Sequence, residues 1–142
     1  IHGNTGNAGR TCLAVGAQLH LVAPLGFGLD DAKVRRAGLD YWPRVAPQIW
    51  DSWSDLEPLL PSLGTAYFFS AETEREYWDA EYRRPVTLVF GRESVGLPSA
   101  VRSRYQDRLL RFPIADPGVR SLNLANCVAL ACFEVLRQRR RD

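Results

Sequence analysis

The chain has no methionine, only three cysteines and only two histidines in 142 residues, and each scarcity closes off some chemistry. Cys12, Cys127 and Cys132 form no CxxC pair, so no metal site is expected. Cys127 and Cys132 sit in an apolar run of helical character, which reads as buried, reduced thiols in a cytoplasmic protein. No run of eighteen apolar residues and no signal-peptide core occurs, so no membrane span is expected. Net charge is only +2; any surface for nucleic acid must come from where the basic residues are placed. The chain opens on Ile1 without a methionine, and a natural start upstream, carrying one further element, is expected. Internal repeats, low-complexity tracts and linkers are missing too. With 46% apolar residues, a single domain over residues 1–142 is expected, with ample material for one core.

What is present is an alternation of helix and strand patterns. Residues 7–17 read as a short helix and the apolar run 19–23 as a buried strand. Asp30 and Asp31 open a short helix ending near Gly38. Val45 falls in a brief strand, and residues 53–60 form a helix opened by Ser52 or Ser54. Residues 66–69 and 86–90 are aromatic and β-branched runs of strand length. A short helix at 98–104, a strand at 109–112 and the longest helix at 122–139 complete the series. Unbroken apolar strands separated by helices predict an α/β fold with a parallel sheet flanked by helices.

Ligands in such sheets bind beyond the carboxyl ends of the strands, and three segments there carry unusual residues. The first, residues 3–11, is rich in Gly and Asn. Gly3 and Gly9 enclose five residues and are followed by Arg10, so a phosphate-binding P-loop fails. No GxGxxG spacing occurs anywhere, so a dinucleotide fingerprint fails as well. An Asn- and Gly-rich turn that places Arg10 in the first turns of a helix remains, against an ordinary surface arginine. The second segment, residues 90–98, follows the strongest strand, and Gly91 would let a ligand approach the backbone closely. The third runs from Phe112 to Ala125; Ser121 can cap the long helix, and Asn123 is either functional or a hydrogen-bonding staple.

GNTGNAGRTC, LVFGRESVGLP and FPIADPGVRSLNLANCVAL together resemble, in order and spacing, the three motifs of the SpoU branch of the SPOUT RNA methyltransferases. The likeness covers essentially the whole chain. The stretch from Leu21 through Asp40, Tyr41 and Trp42 looks like the single-domain subgroup that methylates the ribose of the tRNA wobble nucleotide.

The resemblance implies S-adenosyl-L-methionine as cofactor, tRNA as substrate, a homodimer, and a carboxyl-terminal trefoil knot formed by residues 91–121. It places the cofactor against Phe69, Gly91, Phe112, Ser121 and Leu122, with Phe112 and Leu122 flanking the adenine. It implies that the family's first strand precedes Ile1. Arg10 matches the family's active-site arginine. A guanidinium has a pKa above ~12, so Arg10 suits a phosphate clamp and alkoxide stabiliser better than a base. His2 and His20 lie off the motifs, and His20, inside an apolar strand, reads as a packed residue.

Two basic clusters are available for an RNA backbone: Lys33, Arg35 and Arg36, and the tail of Arg137, Arg139, Arg140 and Arg141. Helix-end solvation is the other reading of the tail. Trp42, Trp50, Trp53 and Trp78 could stack bases or fill a core. Three other functions compete: a non-catalytic RNA-binding module that keeps the fold, a 2′-O-methyltransferase acting on another tRNA or rRNA site, and an α/β enzyme for another nucleotide cofactor.

Overall fold

A computed structural model describes residues 2–24 and 40–140, and its contacts divide the chain into two units, Ile1–Pro58 and Leu59–Asp142. The first unit begins with helix α1 (His2–Val15). The Asn- and Gly-rich turn expected at residues 3–11 is therefore helix throughout. Propensity argues for a turn there, but tertiary packing of one face outweighs it. Gly6, Gly9 and Cys12, spaced three apart, are buried. A Cβ on Gly9 would stand 2.7 Å from Cζ3 of Trp42. The missing side chain at Gly9 is thus what admits the buried indole.

Strands β1 (His20–Val22) and β2 (Gln48–Trp50) pair in parallel, with His20 opposite Gln48 and Val22 opposite Trp50. Between them lies helix α2 (Trp42–Val45), whose Trp42 and Val45 form a small core with Leu13, Leu19 and Tyr41. Val45 is thus helical, and the strand expected around it starts three residues later. Ser52 caps α3 (Trp53–Leu56) by accepting from the Asp55 amide. The helix then tightens into a 3₁₀ turn at Glu57–Leu63, which contains Pro61. The helix expected at 30–38 lies outside the described residues.

The second unit carries β3 (Thr65–Phe69), β4 (Val86–Phe90) and β5 (Leu109–Leu110), all parallel in the order β4-β3-β5. Central β3 alternates its large side chains between two buried faces. Phe68 is fully buried and stacks on Tyr105 at 4.1 Å, next to helix α4 (Ser99–Arg104). Phe69 and Leu110 face the other way, into a cluster with Ala131 and Val135 of helix α5 (Leu124–Arg139). Helices on both faces explain why these strands are continuously apolar rather than alternating.

Helix α5 starts two residues later than its apolar pattern suggests, and Ser121 is not its cap. Asn123 takes that role, its side-chain oxygen accepting from the Asn126 amide at 3.2 Å. Near the far end, Gln138 ties α5 to residues 80–82, donating to the Ala80 carbonyl and accepting from the Tyr82 amide, both at 2.8 Å.

Candidate functional site

The strands of the second unit end flush. Phe69 stands opposite both Phe90 and Leu110, so the chain leaves the sheet at one edge through three neighbouring loops. Three of the five residues expected to meet a cofactor gather there. The Phe69 ring stacks on Phe90 at 4.5 Å and on Phe112 at 5.3 Å. Its side chain is committed to the core.

Gly91 follows Phe90, and its missing side chain has a local cause. A Cβ would lie 2.3 Å from the Gly96 carbonyl carbon and the Leu97 nitrogen. The loop closes on itself there, the Arg92 amide donating to Gly96 O at 3.3 Å and the Gly96 amide to Arg92 O at 2.8 Å. On the side where a Cβ would project, the loop itself fills the space. Gly96, at φ +68°, makes the turn that brings the backbone back.

Phe112, half-buried, is held from the loop that follows β3. The Tyr77 ring lies 4.6 Å from it, the Tyr77 amide donates to Arg111 O at 2.8 Å, and the Arg111 amide donates to Arg75 O at 2.9 Å. The Arg111 guanidinium reaches Glu74 at 3.8 Å and Glu76 at 4.0 Å. The Tyr82 hydroxyl donates to the Tyr77 carbonyl; burial, then the nearby Glu134 carboxylate, pushes both phenols above their ordinary pKa.

Arg102 of α4 links two of the loops. It donates to Leu97 O at 2.6 Å and pairs with Glu72 at 3.0 Å. Neither Tyr77 nor Arg102 stands out in the sequence, because each acts on residues reached only through the fold.

The other two expected residues, Ser121 and Leu122, lie in an exposed stretch just before the Asn123 cap. Leu122 is 37% exposed, and Val95 and Val119 on the same loops are 69% and 45% exposed. A turn at Asp116 shapes this stretch, its carboxylate accepting from the Gly118 amide at 2.7 Å.

In the first unit, Arg10 projects from the exposed side of α1, in its third turn rather than directly after a leading turn. Its Cζ lies 4.9 Å from the centroid of the Tyr41 ring. Among the described residues no carboxylate pairs with it. His20 accepts from the Trp50 indole at 3.0 Å through Nδ1, and burial lowers its pKa. It is a packed residue, as its apolar neighbours suggest.

The tryptophans divide. Trp42 is core, Trp50 serves His20, and Trp78 is half exposed. In the basic tail, Arg137 is held by Glu134 through bonds of 2.8 and 2.6 Å. Lys33, Arg35, Arg36 and Arg141 lie outside the described residues. Burial raises the Cys12 and Cys127 thiols, and no disulfide joins the three cysteines. Among the described residues no group of three His, Cys, Asp or Glu could hold a metal ion. None of their helices is long and apolar enough to cross a membrane.

This geometry has known counterparts. The model of the SpoU rRNA Methylase family matches residues 1–133. The chain is 42% identical over 139 residues to a tRNA (cytidine(34)-2'-O)-methyltransferase of Burkholderia ambifaria, covering 95% of this chain and 87% of that one. A solved structure described as giving insight into the 2-OH methylation of C/U34 on tRNA superposes with a TM-score of 0.90 at 43% identity, covering 100% of this chain and 91% of the other. An AdoMet-bound rRNA methyltransferase from Sinorhizobium meliloti superposes at 0.74 with 27% identity, over 96% of this chain and 52% of that one.

Proposed function

The chain belongs to the SpoU methylase family, and from that membership we propose that it methylates a tRNA ribose 2′-hydroxyl, at the wobble nucleotide, using S-adenosylmethionine. The observation that carries the cofactor side of this reading is the set of apolar side chains, Val95, Val119 and Leu122, left exposed on the loops beyond β4 and β5. An adenosine needs apolar walls and main-chain donors rather than charged side chains, and these loops offer that chemistry. Phe112 and Leu122 would wall the adenine. Main-chain groups at Phe69, Gly91 and Ser121 would hold the rest, within a knot spanning residues 91–121.

S-adenosylmethionine supplies a methyl group on a sulfonium sulfur when bound. The protein's part is to orient the attacking hydroxyl, exclude water and stabilise the charge that develops. Arg10 would grip the phosphate beside the target ribose with its planar fork and favour the developing alkoxide. Backbone phosphates would meet the basic clusters, and the exposed Trp78 is available to stack a base.

We read the whole chain as one methyltransferase domain of a cytoplasmic enzyme, because the family model spans residues 1–133. Leu130 and Phe133, 43% and 56% exposed on one stripe of α5, are the surface on which a second copy would dock to form the homodimer.

Arg10 provides the test. Arg10→Ala should lower single-turnover methyl transfer to tRNA by about 10² to 10³ while calorimetry finds S-adenosylmethionine affinity unchanged. Arg10→Lys should recover only part of the rate, since an ammonium cannot grip two oxygens in one plane. Parental rates in both variants would remove Arg10 from the mechanism, and a parent enzyme that binds tRNA without methylating it would make the chain a binding module.

A further inference from the structure

We infer that Tyr41 is the positioning residue for Arg10, holding the guanidinium by its face so that its edges stay free for a phosphate. The inference rests on the reading of Arg10 given above. An exposed arginine side chain carries several rotatable bonds, and a substrate that must immobilise it loses binding energy in doing so. A carboxylate partner would fix it, but would occupy the same N–H fork that a phosphate needs. An aromatic face fixes the plane and leaves all five N–H donors pointing outward.

Tyr41 meets the distance term of that role and is itself held in place. Its ring centroid lies 4.9 Å from Arg10 Cζ, inside the ~6 Å range of a cation–π contact. The ring itself is held, because the Tyr41 hydroxyl donates to the Gly6 carbonyl at 3.1 Å. Gly6 lies one turn before Arg10 on the same helix, so ring and guanidinium share one reference frame. The next residue, Trp42, is 4% exposed and lies against Gly9. That burial anchors the backbone from which Tyr41 projects.

The experiment is a double-mutant cycle on single-turnover methyl transfer to tRNA, with cofactor affinity measured on each variant. Tyr41→Leu should slow transfer about fivefold, the scale of an exposed cation–π contact, with S-adenosylmethionine affinity unchanged. Tyr41→Phe keeps the ring and should recover most of the rate. In an Arg10→Ala background, Tyr41→Leu should cost nothing further. An equal loss in both backgrounds, or a parental rate in folded Tyr41→Leu, overturns the inference while leaving Arg10 in place. A parental rate in Arg10→Ala removes both. Should Tyr41→Leu fail to fold, the Arg10 Nε–Hε resonance reads the same contact. A ring-current shift in the parent and in Tyr41→Phe supports the inference, and an unshifted resonance overturns it.

Discussion

The two units use opposite means to place functional groups. In Leu59–Asp142, stacked aromatics do the placing: Phe90, Phe69, Phe112 and Tyr77 form a continuous series of ring contacts, each between 4.5 and 5.3 Å. The loops leaving that sheet edge start from this aromatic series, and on the proposed reading their main-chain atoms would meet the cofactor. In Ile1–Pro58 the two paired strands have three residues each, and α1 takes Trp42 against the bare Gly9. A site made of backbone needs a stiff sheet; a single reaching cation needs only a well-seated helix. Substitutions should therefore act most strongly on stability and cofactor binding in the second unit, and at Arg10 chiefly on turnover in the first.

The sharpest break of that contrast is Phe69→Ala. It removes the ring shared by Phe90 and Phe112 from a position only 7% exposed. Stability should fall by about 3 to 5 kcal/mol, read by urea denaturation. A loss below about 1 kcal/mol would mean that the aromatic series does not hold the sheet edge.

Smaller effects are expected of glycines in α1, and their signs should differ. Gly9→Ala gains about 1 kcal/mol of helix propensity but puts a methyl 2.7 Å from a buried indole carbon. Overpacking costs about 1 to 3 kcal/mol, so a net loss near 1 kcal/mol is expected. At Gly3 a Cβ meets nothing within 4 Å, and Gly3→Ala should stabilise by about 0.5 kcal/mol. Thermal melts of the two variants moving the same way would refute the packing role assigned to Gly9.

The smallest effect is a pH dependence at His20. Burial lowers its folded pKa, so below the ordinary imidazole value of about 6.5 the unfolded chain takes up a proton more readily than the folded one. Its contribution is complete above that pH and is lost as pH falls towards the folded value. Unfolding free energies of the parent should thus decline more steeply from pH 7 to 5 than those of His20→Gln, by no more than one proton's slope. Parallel curves would mean that His20 titrates alike in both states.

The strands at Thr65–Phe69 and Val86–Phe90 were legible because burial on both faces demands continuous apolar runs, and such runs are local. The order of the three motifs was legible for the same reason, each being contiguous. Helix α1 was misread as beginning in a turn, since Asn and Gly favour turns in isolation. Ser121 was misread as a cap because Ser and Asn123 are both good caps, and spacing alone does not choose between them.

By itself, then, the sequence determined the parallel α/β class, the family and the identity of the groups available for chemistry, because these follow from residue type and short-range pattern. Only the tertiary structure decided what the glycines are for and what holds the cation. Gly91 lacks a side chain for its own loop, Gly9 lacks one for Trp42, and Arg10 rests on a ring whose hydroxyl reaches a carbonyl 35 positions away. Contacts of that kind depend on which distant residues close packing brings within a few ångströms, and no local periodicity encodes them.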